Sequence, residues 1–146
     1  MSGATRPRQP PTETPPIDSK QIAASAAYLA DQKKAADIQV LDLSGNNRMA
    51  DYFVIVTGLS RPQIKAIYNE IHTRLKAAGQ MHGRAEGYAL GWWVLMDYGN
   101  VVVHVMQPEA REYYDLESLY AEAPAVDWQA VELPELPIPK SVYSDK

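Results

Sequence analysis

Three acids and three histidines are the side chains of this 146-residue sequence best suited to chemistry. Asp42, Asp51 and Asp97 lie on or at the ends of strand-like segments. Carboxylates that converge at strand ends can hold a divalent metal for phosphoryl or nucleotidyl transfer. The simpler role, in which each acid satisfies turn or cap donors, is favoured. His72, His82 and His104 show no metal-ligand spacing, and no cysteine is present to complete a zinc site, form a disulfide or act as a thiol nucleophile. His104 lies near Asp97 on one face of a hairpin, as a base near its orienting acid would, but no pattern places a hydroxyl nucleophile beside them. A buried pair satisfying each other is the better reading. Gly58-Leu59-Ser60 precedes a helix, where backbone N–H groups could cradle a phosphate. It has one glycine and no Gly-Lys-Ser, so it is not a P-loop, and helix capping accounts for it. No metal and no cofactor is expected.

The element that must position these groups is Gly91 to Met106. Two apolar runs flank Gly99-Asn100, a strong hairpin signal. With those two residues as the loop, Tyr98 pairs with Val101, Asp97 with Val102, Leu95 with His104 and Trp93 with Met106. Strand alternation then gives one apolar face of Trp92, Val94, Met96, Tyr98, Val101, Val103 and Val105, expected in the core. The other face carries Trp93, Leu95, Asp97, Val102, His104 and Met106. It is either partly wet, or buried with the acid and histidine paired, because a lone charge in a dry core is costly. Large aromatic and thioether side chains on this mixed face suit protein docking as well as they suit core.

Elsewhere, Asp18 or Ser19 caps a first helix running to about Ala36, with Pro16-Ile17 as a hydrophobic staple. Asp37 to Leu43 reads as a strand, Ser44 to Asn47 as a turn, and Asp51 to Thr57 as an interior strand apolar on both faces. Ser60 and Gln63 form a capping box for a helix whose stripe is Ile64, Ile67, Ile71, Leu75 and Ala78, ending at Gly79. Glu70 and Arg74 are expected as an exposed ion pair. A short strand is possible near Met81 to Ala85. A last helix, Glu109 to Ala123, has an apolar stripe of Tyr113, Leu116, Leu119 and Tyr120 and an acidic side of Glu109, Glu112, Asp115 and Glu117. The order α-β-β-α-β-β-α implies an α/β fold: a mixed β-sheet with flanking helices. The step from Asp51 to Met96 permits a parallel crossover.

Nine of eleven prolines lie in the two ends. Residues 1–17 and 124–146 are therefore expected as mobile tails around one domain, 18–123, although Trp128 and Tyr143 are able to dock on the body. A formal net charge of −4 does not favour direct nucleic-acid recognition. No apolar run is long enough for a membrane span, so a cytoplasmic protein is the default. A homodimer using the Trp93 face stays open.

Four segments resemble the ribosomal silencing factor family, also called the iojap family. They are Ala50 to Gly58, Glu86-Gly87, Gly91 to Val105 and Glu109 to Glu117. The resemblance covers about Ser19 to Ala123 in family order. Trp93, not Trp92, fits the family tryptophan, and the family usually carries an acid at the position of Asn100. The resemblance implies a non-catalytic protein of nucleotidyltransferase-like topology. It further implies binding to the large ribosomal subunit through its fourteenth ribosomal protein and a steric block on joining of the small subunit; organellar members assist large-subunit assembly. The expected partner-binding residues are Trp93 and Met106 as anchors, with Asp97, Tyr98, Asn100 and His104 tuning orientation. The rival is a metal-dependent nucleotidyltransferase using the acids named above.

Overall fold

Every sheet strand but one pair runs antiparallel to its neighbour, and that exception sets the layout. The computed structural model describes residues 17–46, 50–83 and 85–139. The N-terminal tail up to residue 16, Pro16 of the staple, Asn47 of the turn and Tyr143 lie outside the described residues.

The first helix, α1 (Ser19–Gln32), is capped by Asp18, whose carboxylate accepts from the Gln21 amide at 2.8 Å while the Gln21 side chain accepts from the Asp18 amide at 3.2 Å. This reciprocal bonding satisfies two otherwise orphaned donors. The buried face of α1 is rich in alanine, with Ile22 and Leu29 among Ala23, Ala26, Ala27 and Ala30. Such small side chains bring the helix axis close to the sheet. The helix stops at Gln32 rather than Ala36, because Lys34 (φ +65°) and Asp37 (φ +49°) adopt left-handed backbone that reverses the chain into β1 (Ala36–Asp42).

The remaining elements are β2 (Tyr52–Thr57), α2 (Arg61–Ala77), β3 (Ala85–Glu86), β4 (Trp93–Asp97), β5 (Val101–Met106), α3 (Pro108–Tyr114) and α4 (Leu116–Leu119). The sheet order is β1-β2-β5-β4-β3. Interior β2 runs parallel to the central strand β5, and the expected crossover therefore ends on the second hairpin strand, not the first. The hairpin register is the expected one: Trp93 opposite Met106, Leu95 opposite His104, Asp97 opposite Val102.

One sheet face is fully covered. Val54, Val56, Val94, Met96, Val103 and Val105 pack beneath α1 and the α2 stripe of Ile64, Ile67, Ile71 and Leu75. Burying each such side chain contributes about 1.5–3 kcal/mol, and this layer holds most of the core. The other face is half covered. Leu41, Ile55 and Met106 lie beneath Ala110 and Leu116 of the last helices, whereas Phe53, Leu95 and Val102 are half-buried and Asp97 is exposed. Of the two alternatives for this face, the partly wet one holds.

The single last helix splits in two at Asp115, which takes a left-handed conformation (φ +47°). The break changes the helical phase. Of the expected stripe, Leu116 is buried and Tyr120 half-buried, whereas Tyr113 and Leu119 point to solvent and Ala110 and Arg111 are buried in their place. Arg111 is held by Glu117 at 2.8 and 2.7 Å and donates to Thr57 Oγ1 at 2.8 Å, which locks α3 to the end of β2. The ends of α2 also differ in detail. Ser60 Oγ accepts from the Gln63 amide, but the Gln63 side chain reaches Leu59 N and the carbonyls of Lys33 and Lys34, so it ties two elements together instead of closing a box.

Residues 124–139, expected as part of a tail, touch the body at several points. Pro124 accepts from the Asp42 amide, and the Val126 amide donates to Val40, so this segment extends the sheet beyond β1. Trp128 and Leu136 then pack against the helical layer. Arg74 donates twice to the Leu136 carbonyl and also bonds Glu70 at 2.8 Å. That ion pair is therefore half-buried and tethered, rather than an exposed helix-surface pair.

Candidate docking surface

The half-covered sheet face centres on Trp93, and backbone geometry fixes where that residue starts β4. Gly87 has φ +88°, and a Cβ there would collide with the Trp93 carbonyl oxygen, so only glycine allows this approach. Gln107 clamps the same entry: its amide donates to Trp92 O at 2.9 Å and its side chain to Gly91 O at 2.7 Å. Strand geometry begins only at Trp93, which frees Trp92 from the core face assigned to it by alternation.

The Trp93 indole N–H donates to His104 Nδ1 at 3.1 Å. That bond fixes the tautomer, with the His104 proton on Nε2. Burial lowers the His104 pKa from 6.5 to about 4, which makes it a neutral support at neutral pH. Phe53 meets the imidazole edge-on at 4.7 Å, and Tyr120 meets Phe53 in the same way at 5.0 Å. Above this layer, Tyr114 lies 4.5 Å from Trp93 and 5.9 Å from Trp92, and Tyr113 lies 4.9 Å from Tyr114. Trp92 is 37%, Tyr114 40% and Tyr113 76% exposed. The result is a supported aromatic ridge beside an open apolar strip of Leu95, Val102 and Phe53. Rigid aromatic side chains bury large area at low entropic cost, which suits a binding surface.

The expected site residues separate by depth. Trp93 is half-buried and accessible at the ridge. Met106 is fully buried beneath it, so its role as a surface anchor is corrected: it supports the strand pair from below. His104 is buried too, and the expected Asp97–His104 bond does not form. Leu95 sits opposite His104, as the register expects, and the Asp97 carboxylate turns to accept from the Gly99 amide at 2.8 Å. Asn100 is exposed in the turn, where its carbonyl accepts from the Asp51 and Tyr52 amides. Tyr98 lies on the opposite face against the helical layer, where burial raises its pKa. Sequence reasoning missed Trp92, Tyr113 and Tyr114; the Tyr113-Tyr114 pair in an otherwise acidic helix was the available signal.

Among the described residues the alternative chemistries find no assembled site. Asp42 accepts from the Ser44 amide and hydroxyl, which lowers its pKa, and no group of three or more potential metal-binding side chains occurs among the described residues. The Gly58, Leu59 and Gln63 amides already donate to Met106 O, Gln63 Oε1 and Ser60 Oγ. A phosphate would have to displace all three. Among the described residues no helix is long and apolar enough to cross a membrane.

The profile of the family described as "Ribosomal silencing factor during starvation" matches residues 16–143. The chain belongs to the ribosomal silencing factor family. It is similar to Ribosomal silencing factor RsfS of Bacillus subtilis, 41% identical over 111 residues that span 76% of this chain and 94% of the relative. A mouse relative, Mitochondrial assembly of ribosomal large subunit protein 1, is 35% identical over 92 residues, 61% of this chain and 40% of that protein. Among solved structures, a Chromobacterium violaceum protein superposes with a TM-score of 0.68 at 34% identity, covering 84% of this chain and 95% of that one. The mixed sheet with flanking helices is thus the fold of this silencing factor group.

Proposed function

We propose that this member of the silencing factor family is a translational repressor that docks on the large ribosomal subunit through its fourteenth ribosomal protein and blocks joining of the small subunit by steric exclusion. The observation that carries the reading is the supported aromatic ridge around Trp93 on a sheet face that the chain itself leaves half covered. Buried His104 and Met106 hold the ridge from below, and exposed Asp97 and Asn100 border its hairpin end. Glu109 and Glu112 on the exposed side of α3 add negative charge suited to a basic ribosomal protein surface. The mode of action is occupancy, with no bond made or broken.

The relatives' names support a ribosomal role, and that of the mouse protein favours a second reading, assistance to large-subunit assembly. A subunit-joining assay tests the first. Purified protein added to large subunits before small subunits should reduce the joined-ribosome peak in a sucrose gradient. An unchanged peak at saturating protein contradicts the repressor reading. Accumulation of immature large particles on depletion in cells, with joining unaffected in vitro, would favour assembly.

A further inference from the structure

On the sheet face opposite the aromatic ridge, two imidazoles meet where the function above does not use them. His72 on α2 and His82 in the connection to β3 bring Nδ1 and Nε2 to 2.9 Å. Tyr68, one turn before His72, places its hydroxyl 3.3 Å from the same His82 Nε2 and stacks on the His72 ring. Tyr98 closes the group edge-on to His82 at 5.5 Å, and Tyr88 packs on Tyr68. Both histidines are half-buried.

Proton counting singles out one arrangement. Among the described residues, buried His82 Nδ1 has no hydrogen-bond partner. If His82 carries its proton on Nε2, that N–H faces two acceptors, His72 Nδ1 and Tyr68 Oη, and Nδ1 keeps only a bare lone pair. Every protonated state is worse. A proton added to His82 must sit on the orphaned Nδ1. A proton added to His72 Nδ1 turns that atom into a donor, and His82 must then move its own hydrogen to Nδ1 to accept. A stranded buried donor is costly, and two added protons set like charges against each other. Among the described residues, the charged groups by the pair are Lys76, which bears on His72, and Lys65, which stands over the Tyr88 ring; Tyr68, Tyr88 and Tyr98 are titratable neighbours.

We propose that the His72–His82 pair is an acid-sensitive latch that holds the Gly79–Gly83 connection on α2 and releases it as pH falls. What the latch holds matters to the sheet. The Gly83 amide donates to Asp97 O at 2.8 Å, which keeps the connection on the β4 edge. Burial holds both imidazoles below their ordinary value of 6.5. The open connection therefore binds more protons than the closed one, so closure is favoured above that value and lost progressively below it.

Amide hydrogen exchange of the full-length protein, corrected for intrinsic rates, tests this between about pH 7.5 and about pH 5.5. Gly83 protection should fall by up to about tenfold per pH unit for each imidazole once pH drops below 6.5, ahead of the β2 and β5 amides. The fall should be smaller in His72→Gln and absent in the double variant His72→Gln/His82→Gln. A flat wild-type Gly83 profile, a Gly83 fall that persists in full in the double variant, or Gly83 protection no lower than that of β2 at every pH, so that only global unfolding exposes it, would overturn the latch. If the double variant does not fold, imidazole NMR titration of the wild type decides. Both rings should titrate below 6.5 together with the Gly83 amide, and titration at or above that value overturns the proposal.

Discussion

Trp93→Ala separates the docking role of the ridge from its packing role. The indole is half-buried, so truncation forfeits about half of the 3–5 kcal/mol that a buried tryptophan loses on replacement by alanine, roughly 2 kcal/mol. It also removes the donor to His104 Nδ1, a bond worth about 1 kcal/mol. The sum, about 3 kcal/mol, is less than the 5–15 kcal/mol typical of a domain, so the variant should fold. Urea titration should report a lowered midpoint with an unchanged slope. An anchor at the centre of an interface contributes about 2–4 kcal/mol to binding, so large-subunit affinity should fall at least about tenfold at a temperature where circular dichroism shows the variant folded. Stability lost without any change in affinity would show that Trp93 is only core. An unchanged urea midpoint would refute the indole–imidazole support.

Met106→Ala should destabilise the fold by about 2–4 kcal/mol in urea titration yet leave affinity per folded molecule within about threefold, because the side chain is fully buried. Stability should fall as pH drops from 6.5 towards 4, since the unfolded chain protonates His104 and the folded chain does not; His104 contributes up to about 1.4 kcal/mol per pH unit to the slope, and a His104→Gln variant with the same slope as wild type contradicts it. Gly87→Ala should cost about 2 kcal/mol or more and shift the Trp93 amide resonance, because the added Cβ meets the Trp93 carbonyl in a left-handed backbone; a stability change below about 0.5 kcal/mol would contradict that close approach.

The hairpin was legible to the residue, because Gly99-Asn100 and two flanking β-rich runs specify one register. The α2 stripe and the interior position of β2 followed from periodicity in the same way. What escaped is decided by backbone that side-chain patterns do not encode. Asp115 in the left-handed region splits the last helix, rotates Tyr113 outwards and sends Arg111 inwards to Thr57. Gly91 (φ +65°) ends the turn before β4 and leaves Trp92 outside the strand, on the ridge. Proline content suggested a mobile C-terminal end, but a proline-rich segment can still use its remaining amides, as Val126 does on Val40. The site was half legible for a related reason. Alternation puts Trp93, His104 and Met106 on one face, yet only the placement of the last helices decides which of them reach the surface.

Co-sedimentation with isolated ribosomal subunits tests the central claim most directly. The protein should pellet with large subunits, not with small ones, and Trp93→Ala should stay in the supernatant at matched concentration. Wild-type protein that pellets with neither subunit, or equally with both, would contradict the account.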